Sequence, residues 1–153
     1  MASTSLPDFL DQLVDALQSR SDLRGVNVFS CPVEPEQLGL EGIEFAEEVS
    51  VEQSHASMGS TELEETYTVS GSLLVAAPLT KNGTNADAKS ARDRCAVILG
   101  EVVDEMADND TMTGSVRDVQ IASQSWHQGI KPDPPARVCW VEFALNVTTR
   151  VTP

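Results

Sequence analysis

The chain of 153 residues is 41% apolar and 22% charged, close to globular averages, which excludes disorder by composition and fits residues 1–153 as one domain. Ten Lys plus Arg against 24 Asp plus Glu leave a net charge of −14, which argues against affinity for duplex DNA or an anionic membrane. Neither an apolar run of about 18 residues nor a charged-then-apolar leader is present, so the expectation is a chain that folds in a cytoplasm, neither exported nor membrane-spanning.

Residues 5–20 place Phe9, Leu10, Leu13, Val14 and Leu17 at helical spacing, and Ser5 ahead of Pro7 and Asp8 reads as the N-cap. Residues 26–30 form a short apolar strand. The Pro- and Glu-rich stretch 31–42 reads as an extended loop. Ile43, Phe45, Glu47, Val49 and Val51 share one parity, which predicts a strand over 43–53 interrupted near Glu47. From Thr66 to Ala77 the alternation of Tyr67, Val69, Gly71, Leu73 and Val75 with Thr and Ser predicts a long half-buried strand. A helix over 86–107, capped by Thr84 or Asn85, follows from Ala88, Ala91, Cys95, Leu99, Val102 and Met106. A strand over 116–123 turns Val119 and Ile121 inward, and 124–136 reads as a loop. The last strand, 137–151, alternates Cys139, Val141, Phe143, Leu145 and Val147 with Glu142, Asn146, Thr148 and Arg150.

This order predicts an α+β fold, a mostly antiparallel sheet of about five strands with two helices on one face. A 15-residue strand runs about 50 Å, whereas a compact globule of this size is near 40 Å across. The long strands are therefore expected to project from the body or to meet another subunit.

Residues 31–65 hold ten acids and no Lys or Arg. Glu44, Glu47, Glu48, Glu62, Glu64 and Glu65 are the candidate acidic partner surface. Trp126 and Ile130, large apolar side chains in the expected loop, are candidate interface residues. Three cysteines without metal-like spacing, Cys31, Cys95 and Cys139, read as reduced, buried thiols.

No catalytic, cofactor or metal site emerges. Ser125-Trp126-His127 with Asp133 contains the residue types of a nucleophilic triad, but adjacency in sequence does not supply triad geometry. Asp108-Asn109-Asp110 begins like a calcium loop, yet Val119 stands where the bidentate Glu belongs. Nine scattered glycines build no phosphate-binding loop.

Several phrases together resemble the tail terminator (tail completion, neck) proteins of siphophages, especially those infecting actinobacteria. They are the opening helix leading into Val26-Asn27-Val28-Phe29, then Ala56-Ser57-Met58-Gly59 followed by Glu64-Glu65-Thr66-Tyr67. After these come Ala88-Lys89-Ser90-Ala91-Arg92-Asp93-Arg94, Gly114-Ser115-Val116 and the alternating last strand. The resemblance covers roughly residues 6–151. The sequence departs from the family pattern in a Pro-rich segment at 131–135 and in having few bases after Met58-Gly59.

The resemblance implies a non-enzymatic virion protein without cofactor, assembled in the host cytoplasm. Its partners would be further copies of itself, the tail tube protein and the head-tail connector. Typically six copies form a ring that caps the tail tube, stops its polymerisation and passes DNA through the lumen without specific binding. The alternatives are another neck, head-closure or minor tail assembly protein, or a small cytosolic ligand-binding protein or enzyme.

Overall fold

The computed structural model describes residues 4–112 and 114–152, and within them the chain is α+β. The elements are α1 (Leu6–Gln18), a 3-10 turn at Ser21–Leu23, β1 (Asn27–Phe29), α2 (Pro35–Leu38), β2 (Glu41–Phe45), β3 (Val51–His55), β4 (Leu63–Pro78), α3 (Thr84–Asp108), β5 (Asp118–Pro132) and β6 (Pro135–Val151). The strands form one sheet in the order β1-β2-β4-β6-β5, with β3 also paired to β4. Every pairing is antiparallel except β1 with β2.

One face of the sheet carries the core. Tyr67, Val69, Leu73 and Val75 of β4 and Cys139, Val141, Phe143, Leu145 and Val147 of β6 meet Phe9, Leu13 and Leu17 of α1 and Cys95, Ile98, Leu99 and Val102 of α3. The side chains at 0% exposure, such as Phe9, Leu13 and Leu145, each contribute about 1.5–3 kcal/mol. Arg20 ties the end of α1 to α3 through Glu101 and Glu105, both at 2.6 Å.

Several local expectations are corrected. Ser5 occupies the N-cap position but makes no side-chain cap bond; Thr4 Oγ1 accepts from Leu6 N at 3.2 Å, and Ser5 is turned to Glu65. The expected loop at 31–42 contains α2, held by a capping box between Glu34 and Gln37, and the start of β2. Leu38 of α2 lies over Gly42, so this short helix sits on the face opposite α1 and α3. Helix α3 begins at Thr84 behind Gly83, whose φ of 100° suits glycine, so neither Thr84 nor Asn85 is the cap. Cys95 and Cys139 are buried, but Cys31 is exposed.

The interruption near Glu47 separates β2 from β3. Phe45 pairs with Gly71 and Val51 with Tyr67, so five residues, 46–50, stand opposite three, 68–70. Because the excess is two residues, parity survives the break, and Ile43, Phe45 and Val51 all still face the core.

The largest correction concerns 124–136. This segment is most of β5 and the hairpin into β6, with the turn at Asp133-Pro134. A register shift between Ile121 and Ser123 reverses β5's parity, so Val119 faces the core while Trp126 pairs with Val141 on the same side. Beyond the shift, residues 122–128 are all exposed.

Candidate functional site

Two surfaces remain outside the core. The first is the sheet face opposite α1 and α3. Strict alternation puts Thr66, Thr68, Ser70 and Ser72 of β4 there, beside Glu142, Asn146 and Thr148 of β6. The 46–50 excursion overhangs this face and deepens it into two adjoining concavities. One, about 780 Å³, is lined by Glu48, Ser50, Glu52, Thr66, Thr68 and Asn146 among others. Its neighbour, about 400 Å³, is lined by Glu44, Glu47, Ser70, Ser72 and Glu142 among others. The result is a hydroxyl- and amide-rich floor rimmed by acids. Thr68 Oγ1 donates to Asn146 Oδ1 at 2.9 Å across the floor.

The candidate acids separate on inspection. Glu44 is half-buried on this face and accepts from Val33 N at 2.9 Å; Glu47 and Glu48 are exposed in the excursion. Glu62 and Glu64 sit together beside Arg150, at 3.8 and 3.4 Å.

Glu65 leaves the set. It shares the parity of Tyr67 and Val69, so its side chain enters the core side and is 0% exposed. There it accepts from Ser5 N at 2.8 Å, Ser5 Oγ at 2.6 Å and Gln53 Nε2 at 2.6 Å, while Ser5 Oγ and Tyr67 Oη lie 2.9 Å apart. Desolvation pushes the Glu65 carboxyl up, but the hydrogen bonds from Ser5 and Gln53 outweigh it and leave the group below its ordinary value. Burial pushes the Tyr67 phenol up to about 12. Glu65 thus satisfies the N-cap amide of α1 from 60 residues away, the part a helix's own N3 Glu plays in a capping box. Parity counted two residues back from Tyr67 was the available signal. The face gains two acids the candidate set lacked, Glu52 and Glu142, both of which stand at outward positions of their strands.

The second surface is the β5 edge. Trp126 and Ile130 belong to a strand and not to a loop, 44% and 65% exposed on the helix side. Beside them Arg92 Nη1 donates to Gln128 Oε1 at 2.8 Å. On the opposite side His127 stacks on Trp140, with ring centroids 5.1 Å apart and planes 12° from parallel.

The triad types do not assemble. No hydrogen bond joins Ser125 to His127 among the described residues, and Asp133 lies six residues further along, about 20 Å at strand rise. His127 instead stands 3.9 Å from Glu142. Asp108 pairs with Arg20 at 3.8 Å, and Asn109 donates to Glu105 at 3.3 Å. Among the described residues no group of three or more His, Cys, Asp or Glu side chains is placed to hold a metal ion.

Compared with known protein families and with curated proteins, the chain matches none. What the geometry offers is an acidic, hydroxyl-rich sheet face and, among the described residues, a long strand β5 with a strand partner on one side.

Proposed function

We propose that the chain is a structural subunit of a ring, a tail-terminator-like component of a phage neck in which the acidic sheet face lines the lumen and the helices face outward. The observation that carries this reading is β5. Fifteen residues long, it is paired along one side only among the described residues, and no residue from Ala122 to Pro135 is buried. An isolated globule gains nothing from extending a bare edge strand, which templates pairing with another chain. A closed ring removes such edges.

The acidic face supports the lumen assignment. DNA travelling through a channel lined by cations would be retained, because each neutralised phosphate adds counterion-release affinity that must be lost again before the next step. A floor of Thr, Ser and Asn rimmed by Glu44, Glu47, Glu48, Glu52 and Glu142 makes no such contacts. In this reading the protein is non-enzymatic, and its partners are its own copies, the tube below and the connector above.

The test is electron microscopy of the purified protein, alone and mixed with tail tubes of the same phage. Rings, or caps on tube ends, are the expected result. Monodisperse monomer that leaves tubes uncapped sinks the proposal.

A further inference from the structure

The turn that carries β4 into α3 contains Lys81-Asn82-Gly83-Thr84, and of the five asparagines in the chain Asn82 alone is followed by glycine. The distinction is chemical. The backbone nitrogen of the next residue can attack an asparagine's Cγ and close a five-membered imide, and a side chain on that next residue is the main steric obstacle. Glycine removes it.

The structure leaves this attack open. Asn82 and Gly83 are both exposed. Asn82 N donates to Thr80 Oγ1 at 3.2 Å and Gly83 O accepts from Asp87 N at 3.1 Å, but among the described residues neither the Asn82 side-chain amide nor the Gly83 N–H has a hydrogen-bond partner. Gly83 holds φ 100° and ψ 170°, a region essentially reserved for glycine, and a Cβ there would meet nothing within 4 Å. The other four asparagines are held. Asn27 Nδ2 donates to Leu38 O at 3.1 Å and Asn146 Oδ1 accepts from Thr68 Oγ1 at 2.9 Å, each within a strand and ahead of a valine. Asn85 lies in α3 ahead of Ala86, and Asn109 donates to Glu105 Oε1 at 3.3 Å and precedes Asp110.

We infer that Asn82 is a site of spontaneous deamidation in the folded chain. Gly83 N gives its proton to hydroxide and bonds to Asn82 Cγ; the Cγ–Nδ2 bond breaks, and ammonia leaves with a proton taken from water. Water then opens the imide at one carbonyl or the other. One opening gives aspartate; the other gives isoaspartate, in which the backbone runs through Cβ and Cγ. Each event adds one negative charge to a chain already at −14. Isoaspartate also lengthens by one carbon the turn that Thr80 N and Oγ1 close by donating to the Asp87 carboxylate. This chemistry is independent of the ring reading.

Incubating the native protein at 37 °C across pH 6–9, followed by peptide mass spectrometry, tests it. Cleavage after Lys81 and Lys89 releases residues 82–89, which hold Asn82 and Asn85 together, so fragmentation compares the two in one molecule. The expected result is a gain of one mass unit at Asn82, at least tenfold faster than at Asn85 and faster as pH rises, with isoaspartate detected by enzymatic methylation. The same incubation in guanidinium chloride gives the unfolded rate, and the folded rate is expected within a few-fold of it. A folded rate tenfold or more below the unfolded one overturns the assignment, because the turn then shields the amide. Equal rates at Asn82 and Asn85 overturn it as well, and a mass gain without isoaspartate overturns the imide route. Asn82→Ser is expected to leave only the slow change at Asn85. Circular dichroism unchanged during incubation shows that the native chain is what reacts.

Discussion

Phe143 covers Gly71. The two are cross-strand partners between β6 and β4, and a Cβ on Gly71 would stand 2.5 Å from Phe143 Cζ and 2.6 Å from Cε2. On its other side Gly71 pairs with Phe45, and the two phenyl rings meet edge to face above the glycine, 5.8 Å apart at 87°. The missing side chain is what lets aromatic groups from β2 and β6 touch across β4.

Gly71→Ala is therefore expected to destabilise the fold by about 1–3 kcal/mol through displacement of Phe143. Gly100→Ala is the control, since a Cβ there meets nothing within 4 Å on a helix. It is expected to stabilise by about 0.5–1 kcal/mol. Urea denaturation of both separates the cases, and equal effects would contradict the packing described.

Replacing Phe143 or Leu145, 3% and 0% exposed, by Asp should abolish soluble expression, because a charge replaces an apolar side chain in the core. Thr148→Asp, on the exposed parity, should be tolerated. Comparable loss from both sets would mean that the face assignment of β6 is wrong.

The strands legible in the sequence are those with one dry and one wet face. Strands β4 and β6 alternate over more than twelve residues, and α3 shows its stripe, because burial on one side imposes a period. Strand β5 was illegible beyond Ile121 for the converse reason. With no residue buried on either side, 122–132 alternates nothing, and the shift at 121–123 breaks what parity precedes it. Gly129 and Pro132 then read as loop, although glycine and proline are tolerated on an edge strand. The capping box of α2 was missed since Glu34 takes the position usually held by Ser or Thr. Of the acidic surface, the segment was visible from composition, but which acids share a face followed only from strand register.

Glu65 carries a pH prediction. Its carboxyl lies below the ordinary value of 4.5 in the folded chain. A depressed carboxyl contributes stability above its unfolded value and loses it as pH falls through that value toward the folded one. Stability should thus drop as pH is lowered below about 4.5. Glu65→Gln should flatten part of that drop while costing about 1–3 kcal/mol at neutral pH, because an amide N–H then faces the Ser5 or Gln53 donors. Thermal unfolding of both proteins across pH 3–7 checks this; an unchanged slope would remove Glu65 from the account.

Arg20→Ala should release α1 from α3. The pairs with Glu101 and Glu105 are only partly solvated, with Arg20 22% exposed, so the expected cost is about 1–3 kcal/mol, between surface and buried pairs. Hydrogen exchange should show faster opening of α1 than of β4 and β6. Uniform acceleration across all three would argue against a local clamp.

Assembly should respond to salt. Copies carrying −14 each repel over about 30 Å at 0.01 M ionic strength and over about 10 Å at 0.1 M. Rings should accordingly be favoured as salt rises through this range. Sedimentation showing dissociation over the same interval would place attraction between exposed charges, and not relief of repulsion, in control.

The chain should neither hydrolyse substrates nor retain duplex DNA. Of the arginines that could line a lumen, Arg94 is paired with Glu41, and Arg150 is flanked by Glu62 and Glu64. Arg92 contacts Gln128 on the helix side, while Arg24 and Arg117 are exposed. A phosphate backbone passing the sheet face therefore meets hydroxyls, amides and uncompensated carboxylates. Fluorescence anisotropy with a labelled duplex at about 0.1 M salt should show no binding by wild type, over a Debye length near 10 Å. Exchanging Glu52, Glu64 and Glu142 for Lys should convert the same face into a DNA-retaining one, with a salt slope approaching about 0.9 per phosphate contacted. Binding by the wild type with a comparable slope would mean that cations line the path, and the helices rather than the acidic face would then have to point inward.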